Sequence, residues 1–384
     1  MLGKRRIIAS HSGARLFHSC VESISPTLKL QIATQRLIGL SDRALASFYK
    51  DFVILPCERL QVHFIRSTTL SNKSPSIGYE VTDPFVPHII TNIKNNNNIR
   101  ELELKLDAAD INISGLNVLS MLDGNHSIIK LTLHGDWFRH FPTSASEFTF
   151  CNNSVQSLTI LPESGLHVDC FGDFRGALVI NALRRNTALE RLVMAKLSLG
   201  ERLKTSATAM ALNELLSSPT CNLKYLDLRN NSYLIGLNLN LLESNRSLET
   251  LLLSNTRFGS IEGATGLRKN ESLRCLRMDH CGLHQLDFEC FPGGLEELSV
   301  SHNAKKSEYI EFGDLHQLFP KLRELDISGN RFSDLKAIES LLKQTSTLHT
   351  LKVFSNTLYS ENALWSLITS IEAFEQNYTL LKID

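Results

Sequence analysis

The chain has 384 residues, and its 40 lysines and arginines balance its 40 aspartates and glutamates, so the formal net charge is zero. A neutral chain lacks the basic excess that nucleic acids and anionic membranes attract, and we expect no nucleic-acid partner. No apolar run approaches the roughly 18 residues that a membrane span needs. Leucine contributes 64 residues, which is one residue in six, and this excess must have a structural cause.

Residues 1–20 are basic and contain no aspartate or glutamate. They carry Lys4, Arg5, Arg6 and Arg15 among several serines, which is the composition of a mitochondrial transit peptide. The segment that begins at Arg15 resembles a matrix-processing site. The alternative is a short disordered start, so a mitochondrial location stays open at this stage.

Residues 21–88 are predicted to form a helical cap and a linker. Ser25 is a suitable N-cap, Pro26 suits the first helical position, and Pro56 would end a second helix. Residues 67–88 are rich in Ser, Thr, Asn and Pro, which is typical of a linker.

One short motif in this region suggests a function. The sequence from Leu55 to Leu60, L-P-C-E-R-L, resembles the opening of an F-box, the helical module that docks onto a ubiquitin-ligase adaptor. The simpler interpretation is a helical cap over the first repeat.

The leucines follow an internal repeat. The pattern L-x-x-L-x-L, with Ile, Val or Met allowed, occurs ten times at a mean step of about 28 residues, and a truncated eleventh copy starts at Leu380. The ten full copies start at Ile99, Ile128, Val155, Leu189, Leu223, Leu248, Leu273, Leu295, Leu322 and Leu348.

This spacing predicts a short strand in each copy. Every second residue of a strand lies on one face, so the second and third leucines of a copy point the same way. One copy cannot bury that face, but a stack of copies can. Where the chain leaves the strand, eight residues after each start, a polar side chain must satisfy backbone groups. Asparagines or tolerable substitutes occupy that place at Asn231, Thr256, Cys281, Asn303, Asn330 and Asn356.

Helical segments are predicted between the strands. Residues 177–183, 335–342 and 363–374 have a periodicity of 3.6 residues, whereas the shorter copies favour a turn in place of the helix. A phrase L-x-x-N-x-x-L links helix to strand, with its asparagine at Asn186, Asn245 and Asn270.

Over residues 89–384 the chain resembles the leucine-rich repeat superfamily, and most closely its ribonuclease-inhibitor-like, intracellular subclass. The resemblance implies an α/β solenoid, a horseshoe with a concave parallel sheet and outer helices. It also implies a protein-binding scaffold and gives no indication of a reaction. The eight cysteines form no CxxC pair, which favours reduced thiols and an intracellular, preferably cytoplasmic, location.

No catalytic motif is present, so we predict a protein that is not an enzyme and has no cofactor. One cluster has a metal-like composition: Cys275, His280, Cys281, His284 and Cys290. The repeat register places Cys275 on the exposed strand face and Cys281 inside. The two thiols should therefore point apart, and we expect no metal site.

Function is then expected on the exposed strand positions, two, four and six residues after each start. The later copies are acidic there, which suggests a protein partner with a basic patch. The candidate binding residues are Tyr225, Asp227, Arg229, Arg277, Asp279, Glu297, Glu324 and Asp326.

Three alternative functions stay open. They are an F-box-like substrate receptor, a GTPase-activating protein similar to the Ran type in length and repeat class, and a subunit of a mitochondrial assembly. Ran-type activators usually carry a strongly acidic tail, whereas this sequence ends at Tyr378–Asp384 with one acidic residue.

Overall fold

The computed structural model describes residues 7–8, 27–34, 57–66, 85–106, 115–134, 150–162, 171–200, 205–231, 233–257, 265–283, 286–303, 310–311, 314–330, 342, 344, 346–353 and 382–383. The predicted Asn356, the predicted helix at 363–374 and most of that at 335–342 lie outside these residues. The chain forms two compact units. Unit 1 comprises Met1–Phe171 and Asn181–Arg191, and unit 2 comprises Gly172–Ile180 and Leu192–Asp384.

Unit 1 contains a parallel sheet in which each strand pairs with the next one along the chain. Its strands are β1 (Ile7–Ile8), β2 (Thr27–Thr34), β3 (Arg59–Arg66), β4 (Glu101–Leu106), β5 (Lys130–His134) and β6 (Ser157–Leu161). The helices Phe85–Lys94 and Gly115–Leu122 connect β3 to β4 and β4 to β5.

Strand β7 (Arg191–Val193) falls at the boundary between the units, as does the helix Gly172–Leu183. Unit 2 continues the repeat with parallel neighbours in chain order. These strands are β8 (Tyr225–Asp227), β9 (Thr250–Leu252), β10 (Cys275–Arg277), β12 (Glu297–Ser299), β14 (Glu324–Asp326), β15 (Thr350–Lys352) and β16 (Lys382–Ile383).

Short elements connect the strands of unit 2. Strands β11 (Leu286–Asp287) and β13 (Ile310–Glu311) form a separate parallel pair. The helices are Ala207–Leu216, Thr265–Arg268 and Leu315–Leu318, and 3₁₀ helices cover Leu239–Glu243 and Phe288–Cys290. As predicted, the short copy that starts at Leu273 has a 3₁₀ turn where longer copies have a helix. No helix of the described ranges is long and apolar enough to cross a membrane.

The leucine repeat is confirmed. A strand begins two residues after every predicted start, from Ile99 to the truncated copy at Leu380. The second and third apolar residues of each copy form the core, and Leu226, Leu228, Leu276 and Met278 are completely buried. Each buried leucine contributes about 2 kcal/mol through the hydrophobic effect. The chain therefore has the α/β leucine-rich repeat fold.

The prediction of helices in the N-terminal region is wrong for residues 27–34 and 59–66, which form strands. The register aligns Leu28 with Leu60 and Leu60 with Leu102, so the repeat stack begins well before Ile99. The alternation of apolar and polar residues in T-L-K-L-Q-I-A-T explains the strand. Leu60, the last residue of the F-box-like motif, consequently lies in a strand rather than a helix.

Buried asparagines connect successive repeats where the chain leaves each strand. The Asn303 amide nitrogen donates to the carbonyls of Met278 and Val300, both at 2.8 Å, and its oxygen accepts from Cys281 N at 2.8 Å. Asn330 in turn accepts from Asn303 N at 2.8 Å, so the asparagines form a ladder.

The predicted substitutes fill the same place. Thr256 Oγ1 donates to the Leu228 carbonyl at 3.0 Å, and Cys281 Sγ donates to the Leu253 carbonyl at 3.1 Å. Thr256 makes one of the bonds that an asparagine would make, and Cys281 adds a weak one to the Asp279 carbonyl at 3.6 Å, so the ladder continues with fewer contacts.

A second ladder joins the helical side to the strands. Asn270 Nδ2 donates to the carbonyls of Leu242 and Asn245 at 2.7 and 2.9 Å, while its oxygen accepts from Leu273 N at 2.7 Å. Related bonds are made by Asn125, Asn152, Asn186 and Asn245. The asparagine of the predicted L-x-x-N-x-x-L motif therefore has a structural role, because its bonds hold the helical side to the strands.

We predict that Asn303→Ala lowers the free energy of unfolding by about 2 kcal/mol or more, because buried backbone groups of two neighbouring repeats lose their partners. Urea unfolding followed by circular dichroism would measure this. The matched control is Gln317→Ala, which removes an exposed amide and should change stability by less than about 0.5 kcal/mol. Equal stability of the two variants would contradict the role of the ladder.

Candidate functional site

The face of the strands that points away from the leucine core carries the candidate residues. We call it the open face and define it as the residues two, four and six places after each repeat start. In Glu101–Leu106 the odd-numbered side chains are partly exposed and the even-numbered ones are buried, as the register predicts. The open face is described separately for each unit.

In unit 2 the first candidate cluster comprises Tyr225, Asp227 and Arg229. An ion pair joins Asp227 and Arg229. Arg229 Nε and Nη2 donate to the two carboxylate oxygens of Asp227 at 3.0 and 2.7 Å, and the same bond raises the pKa of Arg229. Asp227 is only 3% exposed, whereas Tyr225 is half-buried and the Arg229 side chain is 44% exposed. Tyr225 and Arg229 therefore offer contact surface, while Asp227 holds Arg229 in place.

The second cluster joins three neighbouring strands. Glu297 lies directly opposite Glu324 in the register of β12 and β14. Arg277 Nη2 lies 3.1 Å from Glu297 Oε2 and 3.9 Å from Glu324 Oε2, so one guanidinium offsets two carboxylates. Burial alone would raise the pKa of Glu297, but hydrogen bonds from Cys275 and Arg277 outweigh burial and lower it.

Asp279 is enclosed by serine hydroxyls. Ser299 and Ser301 donate to its Oδ1, the backbone N–H of Ser301 donates to the same oxygen at 3.0 Å, and Ser254 donates to Oδ2 at 2.8 Å. Burial would raise the pKa of Asp279, but these bonds outweigh burial and lower it. The sequence analysis did not identify this role of the serines. Ser299 and Ser301 lie two residues apart in the repeat that follows that of Asp279, and this spacing could have indicated the role.

The last candidates border a shallow depression in the open face. Asp326 Oδ2 lies 3.9 Å from Lys352 Nζ, and Asp326 Oδ1 accepts from Ser328 N at 3.1 Å. The depression is lined by Arg277, Glu297, Leu298, Ser299, Glu324, Leu325, Asp326, Thr350 and Lys352. The structure thus brings Arg277, Glu297, Glu324 and Asp326 together.

The open face of unit 1 is organised differently. Glu101 lies between Arg59 at 3.4 Å and Lys130 at 3.9 Å. Glu103 accepts from Gln61 Nε2 at 2.7 Å and contacts His134 Nε2 at 3.2 Å. Each carboxylate of this face therefore has a partner on both neighbouring strands.

A rigid turn follows the strands of unit 2. His280 and His302 occupy equivalent positions with positive φ, and their rings stack at 4.4 Å between centroids with only 5° between the ring planes. Gly329 takes the next equivalent position at φ +68°, and a side chain there would collide with the His302 ring. The rings therefore stack on one another, and the His302 ring also lies against the Gly329 backbone.

The structure separates the cysteines of the metal-like cluster. Cys275 Sγ donates to Glu297 Oε2 at 3.2 Å on the open face, whereas Cys281 Sγ bonds to a backbone carbonyl in the buried ladder. Within the described residues, which do not include His284, no group of three or more His, Cys, Asp or Glu side chains is arranged to hold a metal ion.

Both of these thiols have strongly raised pKa values. Burial, followed by the Glu297 carboxylate, raises the pKa of Cys275 to about 12. Burial is also the main reason why the pKa of Cys281 is raised to about 12. Both side chains therefore remain protonated thiols at neutral pH, and neither is suited to act as a nucleophile.

Comparisons with known proteins add little to this description. No protein-family model matches the chain, and no curated protein matches it. Among solved structures, it is similar to an internalin from Listeria monocytogenes str. 4b F2365, with 14% sequence identity and a TM-score of 0.48. The match covers 93% of this chain and 86% of the internalin chain. The leucine-rich repeat fold follows from the repeat geometry itself.

We predict that Cys275 and Cys281 resist alkylation at pH 8, where a pKa of about 12 leaves roughly one thiol in 10⁴ as thiolate. Among the six cysteines that the structure describes, the exposed Cys151 should react with iodoacetamide first. Glu297→Gln removes a carboxylate that raises the pKa of Cys275, so its alkylation should accelerate about threefold or more.

Peptide mapping by mass spectrometry would measure each thiol separately. Cys281 is the internal control, because Glu297 does not contribute to its raised pKa. Equal acceleration of both thiols would indicate general loosening of the fold and would contradict the proposed local cause.

Proposed function

We propose that this chain is a non-enzymatic protein-interaction scaffold that binds its partner through the open face of unit 2. The observation that carries the proposal is the charge of that face. From β8 to β15, the described open-face residues include five carboxylates and three cations, an excess of two negative charges. A partner with a basic patch would match this surface and would be selected by it.

The surface also has the composition of a binding site. Tyr225 and Arg229 lie on the same open face, and tyrosine and arginine are common anchors of interfaces. A shallow depression between Arg277 and Lys352 gives the face slight relief. The strand backbone below it is rigid, because each strand is bonded to its neighbours and to the asparagine ladders.

We further propose that the chain belongs to the ribonuclease-inhibitor-like subclass and works inside the cell. A repeat near 28 residues and the helices Gly172–Leu183 and Ala207–Leu216 between strands support the subclass. The six described cysteines are free thiols, as expected in a reducing compartment. The F-box, Ran-type and mitochondrial hypotheses stay predictions.

The proposal predicts where a bound partner is cross-linked. After affinity capture of the partner, a zero-length reagent that joins carboxylates to lysines should link a basic partner to Glu297, Glu324 and Asp326. The internal comparison is Glu243, Glu271 and Glu289, which lie on the helical side with side chains 50%, 82% and 59% exposed. Mass spectrometry of the cross-linked peptides would count the links at each position.

A second surface would carry the cross-links if the open-face proposal were wrong. Phe174 and Met210, on the helices Gly172–Leu183 and Ala207–Leu216, are 68% and 55% exposed, and large apolar side chains at such exposure often mark contact sites. Partner links concentrated on the helical side or near these two residues would contradict the open-face proposal.

A further inference from the structure

Several buried asparagines begin a tripeptide that usually marks a carbohydrate site. The sequence N-x-S/T, with any residue except proline in the middle, is the acceptor for N-glycosylation, and it normally lies on the surface of a secreted protein. The chain contains eight such tripeptides, and those at Asn72, Asn112 and Asn377 fall outside the described residues. The structure describes the asparagine of the other five, which are Asn125, Asn152, Asn230, Asn245 and Asn270.

In unit 1 the two described tripeptides fasten successive repeats together. Asn125 Nδ2 donates to the carbonyl of Lys94 at 2.9 Å, and Asn152 Nδ2 donates to that of Asn125 at 2.7 Å. The side-chain oxygen of each asparagine accepts from the backbone N–H groups two and three residues ahead, at 2.8 to 3.0 Å. Asn125 and Asn152 are only 1% and 2% exposed, so both ends of each amide are used inside the protein.

In unit 2, Asn245 and Asn270 repeat this geometry. Asn245 Nδ2 donates to the Leu216 carbonyl at 3.0 Å. Asn270 Nδ2 donates to the carbonyls of Leu242 and Asn245 at 2.7 and 2.9 Å. Their side-chain oxygens accept from the N–H groups two and three residues ahead at 2.7 to 3.1 Å. Both asparagines are buried.

The serine in the third position has a bond of its own. Ser127 Oγ donates to the Asn96 carbonyl at 3.0 Å, and Ser247 Oγ donates to the Cys221 carbonyl at 2.9 Å, each in the preceding repeat. The N-x-S spacing therefore recurs because both polar side chains hold one repeat to the one before it. The serine is dispensable, since residues 186–188 make the same asparagine bonds with an alanine in the third position.

We infer that the tripeptides at Asn125, Asn152, Asn245 and Asn270 are structural, and that the chain completes its fold only in a compartment without N-glycosylation. Glycosyl transfer from a lipid-linked oligosaccharide forms a bond between the sugar C1 and Nδ2, breaks the bond between C1 and the lipid diphosphate, and removes one proton from Nδ2. The modified amide has one N–H donor fewer and carries a bulky polar group. Neither change fits a side chain that lies in the interior and donates from Nδ2.

The modification also precedes folding. The transferase of the endoplasmic reticulum acts on the extended chain as it enters the lumen, before repeats stack and bury their asparagines. A sugar on Asn270 would keep this side chain out of the core and leave the carbonyls of Leu242 and Asn245 without its N–H groups, at a cost of about 1–3 kcal/mol for each unpaired group. Folding in the cytosol avoids the reaction. The inference goes beyond the scaffold function, because it sets a chemical condition for folding.

Asn230 differs from the other described asparagines and provides a matched control. Its side chain is exposed in a turn with φ +59°, and its oxygen accepts from Asn255 Nδ2 at 3.0 Å. A sugar on Asn230 extends into solvent and leaves the buried backbone groups of the repeats paired. Asn230 and Asn270 therefore share the acceptor sequence but differ in burial.

The test directs the full chain into the endoplasmic reticulum of cultured animal cells with a cleavable signal peptide. An acceptor-free variant has alanine in the third position of all eight tripeptides. Its substitutions are Ser74→Ala, Ser114→Ala, Ser127→Ala, Ser154→Ala, Ser232→Ala, Ser247→Ala, Ser272→Ala and Thr379→Ala. Two further variants each keep one acceptor, either Asn230 with Ser232 or Asn270 with Ser272. Gel mobility before and after enzymatic deglycosylation identifies the glycosylated form, and limited trypsin digestion measures how well each form is folded.

We expect the form glycosylated at Asn270 to be digested about tenfold faster than the acceptor-free variant, and the form glycosylated at Asn230 to stay within about twofold of it. Equal resistance of the two glycosylated forms would overturn the inference. Absence of a glycan at Asn270 would also overturn it, because the chain would then fold in the presence of the transferase.

The wild-type chain gives an independent measurement that does not depend on the eight substitutions. It is made in the endoplasmic reticulum with and without an inhibitor of lipid-linked oligosaccharide synthesis. We expect the chain made with the inhibitor to resist trypsin as well as the same chain made in the cytosol, and the glycosylated chain to be digested about tenfold faster. Equal digestion with and without the inhibitor would show that glycosylation does not prevent folding and would overturn the inference.

The outcomes also separate this inference from the proposed function. Partner cross-linking uses protein made in the cytosol, so its failure would remove the scaffold proposal and leave the inference intact. A trypsin-resistant form glycosylated at Asn270 would remove the inference and leave the scaffold proposal intact.

Discussion

The structure depends on the satisfaction of buried backbone groups at both ends of every strand. A strand of three residues, such as β12, makes few bonds of its own, and the chain enters and leaves it through the apolar interior. Unpaired backbone groups there cost about 1–3 kcal/mol each. Asn303 and Asn270 each replace several missing bonds with their own amide groups. Leucine burial drives the stacking of repeats, but the asparagines allow the backbone to turn inside a dry core.

This division of roles explains which parts of the fold could be predicted. Leucines recurring at a mean step of about 28 residues identify the strands from Ile99 onward, and buried polar positions identify the ladder. The same information is ambiguous in a single short segment. Leu28 and Ile32 are four residues apart, which fits a helix, but Leu30 lies between them and completes the alternation of a strand. Pairing of Leu28 with Leu60 decides the matter, and a pairing partner is not visible in the segment itself.

The sequence predicts which residues lie on the candidate site but not which of their side chains pair with each other. The register correctly predicts that Tyr225, Arg277, Glu297 and Glu324 project from the open face. It does not indicate which cation serves which carboxylate. Arg229 turns back along its own strand to Asp227, whereas Arg277 reaches across to the next strand. Both geometries are open to a long flexible side chain, and only the packing of neighbouring strands selects between them.

The arrangement of charge on the open face is poorly explained by stability alone. Placing Glu297 opposite Glu324 costs free energy, and Arg277 compensates only part of it because its distances to the two carboxylates differ by 0.8 Å (3.9 against 3.1 Å). In unit 1, by contrast, Glu101 has a cation on each side. Keeping like charges opposed on adjacent strands sacrifices some stability, and such trade-offs are common at surfaces that bind. This trade-off is the reason why the open face of unit 2 is the surface that we propose for binding.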